Sequence, residues 1–249
     1  MPEKNFTTNK YTRKPRSKKY IPSTSVAVHY RRPHKHCCNY VKNYLNMSDI
    51  KITYFNVKAL AEATRLLLKY GGIDFVDNRF EHSEWPEFKP NMPFGQVPIY
   101  EENGKIAHQS VAIARYVAKK VKLVGDDDWE NLEIDAIVDT INDFRGKIAA
   151  YNYEQDPAIK ESRKGPLFQE TIPYYLEKFE QIAKDNNGHF AVGKLTWADF
   201  FFVGLLDYLN YMVGKNLIEN SPNLQKVVEN VTSIPNVKAW IESRPQTDL

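Results

Sequence analysis

The dipeptide Gln109-Ser110 lies where the sequence predicts the start of a helix, and such a position can bind an anion. The first N–H groups of a helix have no partner within the helix, and the serine hydroxyl beside them adds another donor. The apolar residues from Val111 to Val121 continue the predicted helix. A carboxylate would be a suitable ligand here.

Tyr54 is a second candidate, because it lies near the end of Ile50 to Phe55, an alternating run typical of a strand. Cysteines in the turn that follows would indicate disulfide exchange, but this chain has none there. A tyrosine hydroxyl can instead donate a hydrogen bond to a ligand's thiol and stabilise the thiolate. Lowering a thiol pKa from about 8.5 by about two units takes roughly 2.7 kcal/mol, which a few hydrogen bonds can supply. The alternative is that Tyr54 only ends the strand.

The segments around these residues follow the order β-α-β, loop, β-β-α. Strands are predicted at 50–55 and 75–80, with a helix from Ala59 to Tyr70 between them. Asn103-Gly104 predicts a tight hairpin turn before the helix at Ser110. This order predicts an α/β thioredoxin-like N-terminal domain with a mixed sheet.

Beyond residue 125 the sequence predicts only helices. Apolar residues from Leu132 to Ile148 follow a 3.6-residue period, and Thr196 to Asp199 match a capping box. Further helices are predicted at about 158–184, 196–213, 222–231 and 235–243. We therefore expect an all-α C-terminal helical bundle at 126–249, a thioredoxin-like domain at 47–125, and a separate tail at 1–46.

The predicted tail is strongly basic. Residues 1–46 contain 11 Lys and Arg against one acid, a net charge of +10, whereas the other residues carry 23 bases and 30 acids, a net charge of −7. With four prolines and no apolar period, the tail is predicted to be disordered. We expect no nucleic-acid partner, but contact with an acidic partner or anionic surface, an organellar presequence, and a translation start at Met47 all stay open.

The only cysteines, Cys37 and Cys38, belong to the tail, so the domains are predicted to use neither disulfides nor cysteine chemistry. The segment from His34 to Cys38 has no second ligand pair at metal-site spacing, and no metal site is predicted. The longest apolar run, 200–212, is too short to span a membrane and contains Asp207, which predicts a buried helix.

Several motifs in a fixed order resemble the cytosolic glutathione transferases, and among them the sigma class, which includes haematopoietic prostaglandin D synthases and arthropod enzymes. The resemblance runs from Ile50 to the C-terminus. The motifs are Tyr54-Phe55-Asn56, Glu84-Trp85-Pro86, Pro93-Phe94-Gly95-Gln96-Val97-Pro98, His108-Gln109-Ser110, Asp139-Thr140-Ile141-Asn142-Asp143-Phe144, Leu195-Thr196-Trp197-Ala198-Asp199-Phe200 and Arg244-Pro245-Gln246-Thr247. Each motif alone is weak, but their order and spacing together are specific.

This resemblance implies a cytoplasmic homodimer that uses glutathione as co-substrate and binds no permanent cofactor. Tyr54 would activate the glutathione sulfur. Trp85, through its indole N–H, and Lys89, through its charge, would hold the glycyl carboxylate. Val97, next to a cis Val97-Pro98 bond, would pair its backbone with the cysteinyl part, with Gln96 beside it.

The resemblance also assigns the other end of glutathione. Gln109 and Ser110 would bind the γ-glutamyl carboxylate, and Asp143 of a second subunit would reach the γ-glutamyl amine. Some prostaglandin synthases of this class bind a divalent cation with three aspartates on the same helix. Asn142 occupies one of those positions here, so no metal is predicted.

The pocket for the second, hydrophobic substrate is predicted to include Phe55, Arg145, Ala149 and Tyr208. Vertebrate members have an arginine near the active tyrosine, and Leu60 occupies that position here. Arg145 could act near the sulfur instead, or could be an ordinary surface arginine.

The predicted function is therefore conjugation of glutathione to lipid-derived electrophiles such as α,β-unsaturated aldehydes, in detoxification of lipid peroxidation products. Glutathione-dependent isomerisation of a prostaglandin endoperoxide is the alternative reaction. A non-enzymatic role, crystallin-like or tethered through the tail, is a third hypothesis. The complete set of predicted glutathione ligands argues against this third hypothesis.

Overall fold

The structure, a computed structural model, describes residues 49–247. The predicted tail, its two cysteines and the possible start at Met47 lie outside the described residues. Residues 49–247 belong to one compact unit, in which the sheet and the helices pack together.

A mixed sheet forms the N-terminal part. Strand β1 (Ile50–Phe55) pairs in parallel with β2 (Val76–Phe80) and antiparallel with β3 (Ile99–Glu102), which pairs antiparallel with β4 (Lys105–His108). The order is β2-β1-β3-β4. Asn103 and Gly104 have φ values of 50° and 73°, as the predicted hairpin turn requires. The predicted thioredoxin-like fold class is confirmed, although the second strand begins one residue later than predicted.

Three helices accompany the sheet. They are α1 (Ala59–Tyr70), the single turn α2 (Trp85–Phe88) and α3 (Ser110–Lys120). Helix α1 is buried from Ala61 to Leu68 because it packs against α3 and against two C-terminal helices, α7 (Trp197–Val213) and α9 (Pro235–Ser243). A Cβ atom on Gly204 would lie 2.5 Å from the Ala63 nitrogen, so only glycine allows α7 to approach α1 this closely.

The rest of the chain is helical, which confirms the predicted all-α part. Its helices are α4 (Asp128–Asn152), α5 (Pro157–Gly165), α6 (Ile172–Asp185), α7, α8 (Pro222–Thr232) and α9 (Pro235–Ser243).

Helix α4 has 25 residues and forms the predicted amphipathic element. It begins where the Asp127 side chain accepts a hydrogen bond from the Glu130 N–H at 2.8 Å. The stripe from Ile134 to Ile148 is buried as predicted. Leu132 is 55% exposed, contrary to that prediction, because it lies on the opposite face of the helix from Ile134.

The helix predicted at 158–184 is interrupted. Between α5 and α6 the segment Pro166–Thr171 forms a π-helix. Pro166 and Pro173 have no backbone N–H to donate to the preceding turn, so the regular hydrogen-bond ladder cannot continue through them. The sequence pattern predicts that this segment is helical, but it does not predict the wider π-helical turn at Pro166–Thr171.

Asp199 closes the start of α7. Its Oδ2 accepts from the Thr196 N–H and its Oδ1 from the Phe190 N–H, each at 2.8 Å, and the side chain is fully buried. The predicted capping box is confirmed, and the carboxylate fixes two backbone segments.

Within residues 49–247, no helix is long and apolar enough to cross a membrane. In the same part of the chain, no group of three or more His, Cys, Asp or Glu residues is arranged to hold a metal ion.

Candidate active site

A cavity of about 490 Å³ opens between the end of β1, the start of α3 and the middle of α4. It is lined by Phe55, Leu60, Trp85, Gly95, Gln96, Val97, Pro98, Gln109, Ser110, Val111, Asn142 and Arg145. Five of the eight residues predicted to bind glutathione are among them. A larger cavity of about 590 Å³ beside β4 contains none of the predicted site residues, so size alone does not identify the site.

Val97 and Gln96 lie just outside the sheet. The pairing of β1 with β3 ends at Thr53 and Ile99, so Val97 is beyond the paired residues. The Val97-Pro98 bond is cis, as predicted. The backbone of Val97 therefore borders the cavity without a strand partner in β1.

The start of α3 forms another wall of the cavity. Gln109 has φ 74° and ψ 106°, a strained backbone conformation that a non-glycine residue adopts rarely and mostly at functional sites. Its side chain makes no capping hydrogen bond to the helix. Ser110 and Val111, the first two residues of α3, line the cavity, so the predicted anion-binding helix start faces it.

Trp85 lines the cavity, and Lys89 lies beside it without being part of the lining. The Trp85 ring stacks on Phe80 with ring centres 5.9 Å apart and meets Phe55 edge-on at 5.3 Å. Lys89 is exposed, and its Cγ and Cε would lie 3.4 Å from a Cβ atom on Gly95, so its chain runs beside a cavity-lining residue. The aromatic packing orients Trp85, whereas the Lys89 side chain is exposed.

Tyr54 is buried directly behind Phe55, with 6% of its surface exposed. Burial raises its pKa to about 12, and the Leu60 backbone, Arg65 and Arg145 only partly oppose this rise. The hydroxyl is therefore protonated at neutral pH and can act as a donor. In the described part of the chain, no hydrogen bond uses that proton.

Residues 50–119 match the glutathione S-transferase N-terminal domain, and residues 142–244 match the glutathione S-transferase C-terminal domain. A glutathione S-transferase of Anopheles gambiae is 56% identical over 203 residues, which cover 82% of this chain and 100% of that protein. The chain belongs to the glutathione S-transferase family. It is an enzyme that uses glutathione as co-substrate and transfers its thiolate to electrophiles.

Other members of the family are similar to this chain in sequence and structure. Glutathione S-transferase S1 of Drosophila melanogaster is 54% identical over 196 residues, 79% of each chain. The structure of prostaglandin synthase D of Nilaparvata lugens is 41% identical, covers 80% of this chain and 99% of that one, and superposes with a TM-score of 0.76.

Arg65 is a residue of this glutathione transferase that the sequence analysis missed. Its guanidinium carbon lies 6.0 Å from the Tyr54 ring centre, and the side chain is fully buried. It donates to the Val57 carbonyl at 2.8 Å and to Glu62 and Asp77 at 3.1 and 2.9 Å, which ties the loop after β1 to α1 and β2. The three-residue spacing from Glu62 inside an otherwise apolar helix was the available signal.

Glu62 extends this contact to the C-terminus. Its Oε1 also accepts from Trp240 at 2.9 Å and from Arg244 at 2.6 Å. Burial by itself would raise the pKa of Glu62, but Arg65 and Arg244 outweigh it and hold that pKa below its ordinary value. Glu62 is therefore ionised and fully paired at neutral pH.

The residues predicted for the second substrate are only partly brought together. Phe55 and Arg145 line the cavity, whereas Ala149 is half-buried against the core and lines neither this cavity nor the neighbouring cleft. Tyr208 is buried, and its hydroxyl is 2.8 Å from the Tyr153 hydroxyl. Burial and then the Tyr153 contact raise the pKa of Tyr208, so it too is a neutral hydroxyl.

Tyr153 was also missed. It is 55% exposed and lies with Phe55 in a cleft of about 430 Å³. The lining of this cleft is Phe55, Asn56, Val57, Glu81, His82, Asn152, Tyr153 and Tyr211. Since Phe55 borders both spaces, the cleft adjoins the main cavity. No local pattern distinguishes Tyr153, which directly follows the end of α4.

Asp143 is exposed and does not line the cavity. Asp139, one turn earlier on α4, is exposed as well. Within one subunit, Asp143 is therefore not brought together with the other predicted glutathione ligands.

Proposed function

We propose that this chain is a sigma-class, cytoplasmic glutathione transferase that works as a homodimer and conjugates glutathione to amphipathic, lipid-derived electrophiles. The observation that carries the proposal is the buried Tyr54 hydroxyl, whose proton has no acceptor within residues 49–247. It contacts Phe55 and Leu60, which line a cavity together with a helix start and Trp85. The class of substrate is argued from the aromatic residues of this lining and the polar groups near it.

Glutathione would lie along the cavity in the orientation that the resemblance implies. The γ-glutamyl carboxylate would bind Gln109 and Ser110, and the glycyl carboxylate would bind Trp85 and Lys89. The backbone of Val97 lies beyond the paired residues of β1 and β3, which supports its pairing with the cysteinyl part, as an added strand does. Gln96 would border the same backbone.

Tyr54 would donate its proton as a hydrogen bond to the glutathione sulfur. Because its own pKa is raised, Tyr54 does not act as the base. It stabilises the thiolate after the proton has left to solvent. Lowering the thiol pKa by about two units corresponds to roughly 2.7 kcal/mol.

The electrophile would bind against Phe55, with its polar end towards Arg145 and the Tyr153 and Tyr208 hydroxyls. An α,β-unsaturated aldehyde fits this arrangement because it combines an apolar chain with a carbonyl. The thiolate sulfur attacks the β-carbon, the C=C electron pair shifts towards the carbonyl oxygen, and the enolate takes a proton at the α-carbon. Donors near the oxygen would stabilise the enolate.

The homodimer is supported by exposed apolar residues. Phe94 is 84% exposed with a φ of 52°, and Trp129 and Leu132 on the outer face of α4 are 67% and 55% exposed. Exposed apolar side chains of this size favour burial in a subunit interface. Asp143 lies on α4 as well, so Asp143 of the partner subunit would complete the glutathione site.

Sedimentation and kinetics of Phe94→Asp and Asp143→Asn test the homodimer. We expect Phe94→Asp to yield monomers with a raised KM for glutathione. Asp143→Asn should stay dimeric and raise the KM alone. A monomeric wild type with full activity would contradict the shared site.

Prostaglandin isomerisation is the second candidate reaction, because a structure similar to this chain is that of prostaglandin synthase D. A substrate panel distinguishes the two: 2-alkenals of increasing chain length, an aryl halide and a prostaglandin endoperoxide. We expect kcat/KM to rise with alkenal chain length and to fall in Tyr153→Phe. A higher kcat/KM for the endoperoxide than for every alkenal would favour the isomerase instead.

The tail is tested separately. Removal of residues 1–46 should leave the conjugation rate unchanged if the tail only tethers the enzyme, and should change its distribution in the cell. A lost rate with unchanged distribution would give the tail a role in catalysis.

A further inference from the structure

Arg145 is held inside the cavity by a neutral partner. The Oδ1 atom of Asn142 accepts from Arg145 Nη2 at 3.0 Å and from Nε at 3.3 Å. The two residues are three positions apart on α4, which brings their side chains together on one face of the helix. Both line the cavity, so this contact fixes a guanidinium at its wall.

The charge of Arg145 is not cancelled by this contact. Arg145 is the one charged side chain among the described residues that line the cavity. Within residues 49–247 it forms no ion pair, and its Nη1 has no hydrogen-bond partner. An amide holds the guanidinium by its oxygen and adds no negative charge, whereas a carboxylate of the same shape would neutralise it.

Other arginines of the chain are treated differently. Arg65 is paired with Glu62 and Asp77, and Arg115 with Asp135. A neutral partner at Arg145 therefore leaves a full positive charge, with free N–H donors, next to the place where the glutathione sulfur and the electrophile would meet.

Building on the proposed function, we infer that Asn142 is a positioning residue that orients Arg145 while preserving its charge, so that Arg145 stabilises the enolate oxygen formed from conjugated carbonyl substrates. This makes Asn142 a determinant of substrate class. Electrophiles that develop an oxygen anion gain from the oriented guanidinium, whereas alkyl halides, whose charge leaves with the halide, gain little.

The groups whose charge acts on this site come from several elements. Arg145 acts on Tyr54 from α4, Arg65 acts on it from α1, and Tyr153 follows α4. Tyr208 lies on α7 and is influenced by the same arginine. Since a positive charge stabilises a nearby thiolate, cancelling the Arg145 charge should raise the pKa of bound glutathione thiol.

Two substitutions separate orientation from charge. Asn142→Asp keeps an oxygen that accepts from Arg145 but cancels the positive charge of Arg145. Asn142→Ala leaves that charge in place but removes the contact that orients the guanidinium. The assay measures kcat and KM with a 2-alkenal and with an alkyl iodide across pH, together with the ultraviolet absorbance of the bound thiolate. A chelator is present throughout, because a new carboxylate beside Asp139 and Asp143 could attract a divalent cation.

For Asn142→Asp we expect kcat/KM for the alkenal to fall about 10-fold, and the alkyl iodide value to fall less. The pH profile should also shift to higher pH. Asn142→Ala should lower kcat for the alkenal about 5-fold without that shift, since the charge remains. Lys147→Gln removes an exposed charge from the same helix outside the cavity and should match the wild type in every measurement.

An unshifted pH profile in Asn142→Asp, with equal losses for both electrophiles, would overturn the inference, because a purely structural contact behaves in that way. Wild-type activity in both variants would overturn it as well. Neither result affects the proposed function, which would instead fail if the wild-type enzyme conjugated neither electrophile.

Discussion

Two regions that share Tyr54 as a neighbour treat their polar groups in opposite ways. In the buried cluster on α1, Glu62 accepts from Arg65, Trp240 and Arg244, and two of the three guanidinium nitrogens of Arg65 are paired. Behind the cavity wall, the Tyr54 proton has no acceptor within residues 49–247. At the wall, Arg145 also uses two nitrogens, but its partner is the Asn142 amide and it forms no ion pair within those residues.

This difference separates structural polar groups from those available to a ligand. A buried charge destabilises the fold unless it is paired, so the ion pairs of the cluster are expected to stabilise the fold. Groups at an open cavity can stay unpaired because water or a ligand satisfies them. The charge of the partner, more than residue type, therefore distinguishes Arg65, which pairs with carboxylates, from Arg145, which pairs with an amide.

The largest effect is expected from breaking the buried cluster. Glu62→Ala leaves Arg65 and Arg244 without their shared carboxylate and should lower the unfolding free energy by about 3–5 kcal/mol, measured by urea denaturation. Glu62→Gln keeps an acceptor and should lose less. If Glu62→Ala does not fold, Arg244→Ala gives a smaller, measurable loss. A loss below about 1 kcal/mol in both would show that the cluster does not stabilise the fold.

The next effect concerns the cavity. Tyr54→Phe removes the donor to the sulfur and should lower kcat/KM for conjugation about 100-fold at neutral pH, which corresponds to roughly 2.7 kcal/mol. The unfolding free energy should change little. Tyr174→Phe, at an exposed tyrosine far from the cavity, serves as the matched control. A rate within a factor of two of wild type would remove Tyr54 from the mechanism.

Lowering the pH should weaken the buried Glu62 cluster and leave the cavity unaffected. Because the folded state lowers the pKa of Glu62 below its ordinary 4.5, the cluster stabilises the fold above that pH, and this contribution is lost as pH falls through the lowered value. The loss should be smaller than in Glu62→Ala, since a protonated carboxyl still accepts hydrogen bonds. The unfolding free energy, measured by urea denaturation from pH 6 downward, should depend less on pH in Glu62→Gln than in the wild type. An equal dependence of the unfolding free energy on pH in both proteins would contradict the assignment of this effect to Glu62.

The smallest effect is expected from a helix cap outside both regions. Asp127→Ala removes the acceptor for the Glu130 N–H at the start of α4 and should cost about 1 kcal/mol of stability. Activity per folded molecule should not change, because the cavity lies several turns further along the helix. An altered KM for glutathione would mean that the helix start controls the orientation of Asn142 and Arg145.

Much of the fold could be predicted from local patterns. The alternation in β1, the Asn103-Gly104 turn, the apolar stripe of α4 and the capping box at Thr196 each depend on residues a few positions apart. The π-helical segment at Pro166 could not, because the same apolar spacing fits a regular helix.

The candidate site was predictable where motif spacing carries it. Trp85, Gln96, Val97 and Ser110 line one cavity because the turns around the sheet bring them there. Tyr153 belongs to no motif, and Ala149 has the expected position on α4 but faces the core. One residue of rotation on a helix decides that difference, and sequence patterns do not resolve it.

The sequence by itself determined the order of elements, the hairpin, the helix starts and the spacing of the glutathione motifs, since these depend on interactions between near neighbours. Tertiary structure alone decided which charges from distant parts of the chain are paired. Glu62 meets Trp240 and Arg244 across 178 and 182 residues. Such contacts exist only after all the intervening helices have packed. The amide beside Arg145 is local, since Asn142 lies three residues away on α4, but packing decides that no carboxylate within residues 49–247 pairs with this arginine.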